Sequence, residues 1–180
     1  MSLSKDEILK ALHALSEALA REGAKGELCL FGGTVMVLAY SARISTKDVD
    51  AIFHPSSLIR NLAAQIGESH GLSKNWLNDG VKGFVSAKHD VVHGNLPQFP
   101  NLVLTMPTPE YLLAMKCMAS RINPAEDEAG DSRDIIFLIR HLKIASAADV
   151  MKIVAEYYSP DRIPIKAQYL VESLFEEGRI

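Results

Sequence analysis

Cysteine is nearly absent from this chain. Cys29 and Cys117 are the only two in 180 residues, and each lies in an apolar run. The expectation is two reduced, buried thiols, because free cysteine behaves as a small hydrophobe. A zinc site needs more ligands at closer spacing. An excess of positive charge is also lacking: 19 Lys and Arg face 22 Asp and Glu, for a net charge of −3. No global cationic field exists to support wholesale nucleic-acid binding, which leaves at most a local basic groove. No apolar run reaches the length of a membrane span, and Met1 to Lys10 is polar and charged, without a signal-peptide core. No membrane partner is expected, and the cytoplasm is the expected location. Internal repeats and low-complexity tracts are absent as well.

What is present is a chain long enough to bury most of its apolar surface, with an ordinary hydrophobic fraction of 48%. Its length suggests one domain, or a small domain with a helical appendage. Ser4 and Glu7 form a capping box ahead of a helical repeat of Ile8, Leu9, Leu12, Leu15 and Leu19, and Gly23 stops that helix. Glu27 to Phe31 reads as a short strand. Gly32-Gly33 is a turn, with Thr34 capping a helix to about Ser41. Lys47 to Phe53 is a second strand, ended by Pro55. Leu58 to Ser69 is an amphipathic helix. Residues 72 to 100 read as irregular, with one or two short strands such as Gly83 to Ala87, and Leu102 to Met106 is a further strand.

After Pro107 the character becomes helical. Thr108-Pro109-Glu110 is a cap, a proline at the first helical position and a first-turn acid. That helix runs to about Arg121, Asn123 to Gly130 is an acidic loop, and helices follow at 131–141, from Ser146 to Tyr158, and at 165–177. The expected fold is therefore α+β: a small mixed sheet flanked by helices over residues 1–107, and a helical C-terminal part over 108–180 packed on it.

The chemistry concentrates at Phe31-Gly32-Gly33-Thr34 and Ser45-Thr46-Lys47-Asp48-Val49-Asp50. A glycine at a strand-to-helix corner admits positive φ and the close approach of another group. The helix behind it offers free N–H groups to an anion, and Thr34 adds a hydroxyl. A plain tight turn would also use these glycines. Asp48 and Asp50 alternate along a strand and so share one face. Two carboxylates so placed repel unless a cation sits between them, and Asp disfavours strands. A Mg²⁺ site would explain both residues; a solvated edge strand is the plainer alternative.

These motifs resemble the signature of the polymerase-β-like nucleotidyltransferase superfamily, in which a Gly-Gly or Gly-Ser corner precedes an Asp-x-Asp strand. Arg43-Ile44-Ser45-Thr46-Lys47-Asp48-Val49-Asp50 is similar to the Arg-x-(Ser/Thr)-x-x-Asp-x-Asp form of the AbiEii-type branch, which includes toxins of toxin–antitoxin systems. Glu110-Tyr111-Leu112-Leu113-Ala114-Met115-Lys116 and Ser132-Arg133-Asp134-Ile135 resemble that branch's helical segment. The resemblance covers most of residues 28 to 142. It implies a nucleotidyltransferase-like fold and a Mg²⁺-dependent transfer of a nucleotidyl group from an NTP to a hydroxyl of an RNA, a protein or a small molecule. Gly32, Gly33 and Thr34 would contact the triphosphate. Asp48 and Asp50 would be catalytic and would ligate Mg²⁺, as one ion or two. Lys116 would reach a phosphate, and Asp134 would be a further catalytic acid. An antitoxin-like protein partner is a further implication of that branch. Many active members carry a third carboxylate on a later strand, often the base for the attacking hydroxyl. Leu102 to Met106 has no acid, and Asp90 lies near a short strand of unread register. The alternative is a catalytically weak nucleotide-binding or toxin–antitoxin interaction module on the same fold.

Other constellations fit less well. His89 and His93 have the spacing of the zinc-protease motif, but Val91-Val92, Gly94 and Pro97 oppose a helix, and the intervening acid is Asp90 rather than Glu. Trp76-Leu77-Asn78-Asp79, with Lys82 and Phe84, reads as a substrate wall or as core packing of the two aromatics. Lys116 among Met115, Cys117 and Met118 also reads as a snorkelling side chain, and Arg133–Asp134 as a surface ion pair. Glu126-Asp127-Glu128-Gly130-Asp131 is acidic without the alternate ligand spacing of a calcium loop.

Overall fold

In this computed structural model residues 2–120 and 131–180 are described. The expected acidic loop at Asn123 to Gly130 lies outside them. The described residues form a mixed α+β protein. In chain order the elements are β1 (Leu3–Ser4), α1 (Lys5–Arg21), β2 (Gly26–Leu30), α2 (Gly32–Leu38), β3 (Ser45–Thr46), β4 (Val49–His54), α3 (Ser56–Ser69), β5 (Leu77–Asn78), β6 (Val91–Val92), β7 (Leu102–Pro107), α4 (Pro109–Ala119), α5 (Asp131–His141), α6 (Ala147–Tyr157) and α7 (Ile165–Glu176). The chain divides into two compact units, one of residues 2–83 and Val91–Met106, the other of Phe84–Asp90 with the described part of Pro107–Ile180. No helix among the described residues is long and apolar enough to cross a membrane.

The first unit is built on a five-stranded sheet of order β5-β4-β2-β7-β6. β2 runs antiparallel to β4 and parallel to β7, and β5 runs parallel to β4. The register sorts side chains strictly by face, because residues paired across strands point the same way. Leu28, Leu30, Val49, Ala51, Phe53, Leu77, Leu102, Leu104 and Met106 share one face, and all are buried. Leu19 of α1 and Ile59 of α3 come down on that face where Gly26 leaves room. The opposite face carries Glu27, Cys29, Asp50, Ile52, His54, Asn78, Val103 and Thr105, each half-buried or exposed. One side of the sheet is thus core, and the other carries half-buried and exposed side chains.

Local sequence signals explain most boundaries. Ser4 and Glu7 close the capping box at α1, where the Ser4 N–H donates to Glu7 Oε2 at 2.8 Å. Thr108 caps α4 ahead of Pro109, and Ser146 caps α6 by accepting from the Asp149 N–H. Three expectations need correction. Gly83 to Ala87 is not a strand: Gly80–Phe84 is a 3₁₀ turn, and the short strands are β5 and β6. Thr34 does not cap α2, whose N-cap is Phe31 with no side-chain bond. Asp48 lies in a bend just before β4, not within the strand. β1 was not foreseen at all; it pairs antiparallel with β3, Leu3 against Thr46.

In the second unit α4 packs against α5, α6 and α7. Phe84–Asp90 is tied into it by aromatic and polar contacts. The Ser86 N–H donates to the Tyr111 hydroxyl at 2.8 Å, and Tyr157 donates to Asp90 Oδ2 at 2.9 Å. The Tyr111 and Tyr157 rings stack with centroids 4.8 Å apart.

Trp76, the chain's one tryptophan, is 1% exposed and donates its indole N–H to the Ala63 carbonyl at 2.8 Å. Its fluorescence will report unfolding of the first unit. Leu12→Ala, at a fully buried position of α1, is expected to lower stability by about 2–5 kcal/mol in urea. Ile44→Ala, at a side chain 92% exposed, is expected to change it by less than about 0.5 kcal/mol.

Candidate functional site

The corner after β2 and the start of β4 are locked together. The Phe31 N–H donates to the Asp50 carbonyl at 2.8 Å. The Thr34 hydroxyl donates to the Asp48 carbonyl at 3.1 Å. The two glycines permit this approach for different reasons. Gly32 sits at φ +59°, the left-handed region, and a Cβ there would lie 3.1 Å from Asp50 Oδ2. At Gly33 a Cβ would fall 2.4 Å from Thr46 Oγ1 and 3.4 Å from an Arg43 guanidinium nitrogen. The glycines therefore bring bare backbone up against the Asp50 carboxylate, with Arg43 alongside. Thr34 and Gly33 are buried, whereas Asp48 and Asp50 are each half-buried.

A third strand completes the arrangement. β5 places Asn78 in register with Asp50, and the Asn78 amide donates to Asp48 Oδ2 at 3.1 Å. Its neighbour Asp79 is occupied elsewhere. It accepts from Arg60 at 2.9 Å and from Lys82, and those cations hold its carboxyl below the usual range, Lys82 foremost. Glu27 shares the open face of the sheet but pairs with His54, four residues beyond Asp50, or about 13 Å along the strand. Asp90 belongs to the second unit, where it meets Tyr157 and Lys88. The strand beside β4 thus presents an amide, and β7, the later strand the sequence offers for a third carboxylate, carries no acid.

Lys116 and Asp134 come together in the second unit. The Lys116 ammonium lies 2.7 Å from Asp134 Oδ2 and 3.2 Å from Asp131 Oδ1. Lys116 is 8% exposed and Asp134 1%. This is a buried ion pair between α4 and α5, of the kind whose disruption leaves an uncompensated charge. Arg133 is exposed.

Both thiols are poor nucleophiles. Burial pushes Cys29 up to about 11, with a hydrogen bond to Thr105 acting the other way, and pushes Cys117 up to about 12; neither is a thiolate near neutral pH. His93 contacts the Leu104 carbonyl at 3.0 Å, and His89 packs edge-on against Tyr111. The two histidines lie in different units with β6 between them, so no zinc-protease helix forms. Trp76 is core, while Phe84 is 41% exposed.

The residues fit a hard divalent cation. Asp48 and Asp50 supply oxygen donors at the mouth of a corner that carries no Cβ, which suits Mg²⁺ better than a softer ion. Among the described residues no group of three or more His, Cys, Asp or Glu side chains gathers as a metal cluster. A hard cation held by these two carboxylates would take its remaining ligands from water and substrate oxygens.

The sequence offers Asn78 only as part of a substrate wall and leaves Arg43 without a role. Arg43 lies in the motif itself. Asn78 is 28 positions after Asp50, and only the β4–β5 register connects them. No protein-family model, no curated protein and no solved structure matches this chain.

The Gly33–Thr46 contact can be checked by a double-mutant cycle. Gly33→Ala is expected to cost about 1–3 kcal/mol through overpacking, and adding Thr46→Ala, which removes the opposing Oγ1, is expected to recover part of that loss in urea unfolding. Strictly additive costs would show that the two residues do not press on each other.

Proposed function

We propose that this protein is a Mg²⁺-dependent nucleotidyltransferase of the polymerase-β-like superfamily, close in pattern to its AbiEii-type branch. The observation that carries the reading is the meeting of two motifs at one place. The Gly32–Gly33 corner abuts the Asp50 carboxylate, and Thr34 is bonded to the Asp48 backbone. Phosphate and divalent cation would need these two elements side by side.

In this reading the backbone N–H groups of Gly33 and Thr34 take triphosphate oxygens, and Arg43 adds a cation at the same corner. Asp48 and Asp50 would hold Mg²⁺, which when bound screens the charge of the phosphates in an in-line displacement. The acceptor hydroxyl attacks the α-phosphorus and gives its proton to solvent water, the bond from the α-phosphorus to the oxygen bridging to the β-phosphate breaks, and pyrophosphate leaves with that oxygen. Most of the rate comes from positioning and electrostatics. The acceptor is an RNA, a protein or a small molecule. The resemblance also implies phosphate-reaching and acidic roles for Lys116 and Asp134, but within the second unit the two form a buried ion pair, and the proposed step is not routed through them. An antitoxin-like partner and a cytoplasmic location go with the same proposal.

Asn78 favours a second reading. An amide cannot take a proton from the attacking hydroxyl, so the same scaffold would serve as a nucleotide-binding or toxin–antitoxin interaction module with little turnover. One experiment separates the two. The four α-³²P-labelled NTPs are offered with Mg²⁺ to a cell-extract acceptor pool, and NTP binding is measured in parallel. The transferase reading expects label transfer that falls by about 10²–10³-fold in Asp50→Ala. Binding without transfer supports the module, and the absence of both sinks the nucleotide site.

A further inference from the structure

Asp50 lies on β4 and Asp48 in the bend just before it, and like charges so close along the chain oppose each other. One side chain from β5 meets the Asp48 carboxylate. Asn78 Oδ1 accepts the Gly80 N–H at 3.0 Å, which fixes which end of the amide is oxygen. The NH₂ end therefore faces Asp48 Oδ2 at 3.1 Å, and the strand register sets the residue beside Asp50. Asn78 is half-buried. A side-chain amide can accept from a turn at its oxygen and donate to a carboxylate from its nitrogen.

We propose that Asn78 is the positioning residue of the divalent-ion site, holding the Asp48 carboxylate in its ligating orientation and supplying it with a donor when no cation is bound. This rests on the reading of Asp48 and Asp50 as the ligands. Its consequence is specific. An aspartate at position 78 would keep the acceptor for Gly80 but exchange the donor for a third carboxylate. Without a cation the three acids would repel. With one they would form a richer oxygen site.

The test uses the full chain and Mn²⁺ alone as the probe, with calorimetric titration and thermal melting in chelator or in Mn²⁺. Asn78→Ala is expected to weaken Mn²⁺ binding by about tenfold, as loss of an outer-shell partner does. Asn78→Asp is expected to melt below wild type in chelator. In Mn²⁺ it should show a larger rise in Tm than wild type and bind about tenfold more tightly. If Asn78 serves only the turn at Gly80, Asn78→Asp keeps the wild-type affinity and the wild-type Mn²⁺-dependent rise, and the proposal is overturned. An Asn78→Asp chain that stays unfolded in Mn²⁺ overturns it too. Asp50→Ala distinguishes the two levels. If it abolishes binding while both Asn78 variants bind as wild type, only the role of Asn78 fails. If no variant, wild type included, binds Mn²⁺, the reading of the aspartate pair fails with it.

Discussion

The close passage of the Gly32–Gly33 corner against the start of β4 is the constraint on which the rest of the site depends. Two hydrogen bonds set it, Phe31 N–H to the Asp50 carbonyl and the Thr34 hydroxyl to the Asp48 carbonyl. Both glycines are needed: Gly32 because its backbone is left-handed beside Asp50, and Gly33 because Thr46 fills the space a side chain would take. A neutral turn would not need carboxylates at this point, and solvated carboxylates would not need so tight a corner. The coincidence of the two supports a phosphate-and-cation site.

The sheet supplies the platform. Its buried face is continuous from β5 to β7 and is met by α1 and α3, so β4, which bears Asp50 and directly follows Asp48, is anchored by hydrophobic burial on that side. The carboxylates lie at the end of the other face, where they stay half-hydrated and avoid the cost of burying a charge. β1 adds a second restraint. By pairing with β3 it fixes Thr46 and the loop that delivers Asp48. The ion pair of Lys116 with Asp134 plays a comparable part within the helical unit, joining α4 to α5 by a buried charge contact.

Much of this was legible from residues alone, and what was not has a physical cause. Caps at Ser4, Thr108 and Ser146 are local chemistry, and they placed their helices to within a residue or so. The corner and the Asp-x-Asp motif were found for the same reason, since each is a short run with a distinctive residue set. Thr34 was misread as a cap because its hydroxyl is taken by a carbonyl 14 residues away, a competition the local sequence cannot show. Asn78, and the pairing of β1 with β3, depend on strand register across long separations. Two-residue strands carry too little periodicity to announce it. Gly83 to Ala87 lost its expected strand because its glycine-rich start closes into a 3₁₀ turn.

The most direct measurement is a crystal structure of the full chain grown with Mn²⁺ and a non-hydrolysable NTP analogue, with anomalous scattering used to locate the ion. The account expects one or two Mn²⁺ peaks on the Asp48 and Asp50 carboxylates and the triphosphate against the backbone of Gly33 and Thr34. A triphosphate bound elsewhere, or carboxylates turned away from an ion-free corner, would contradict it.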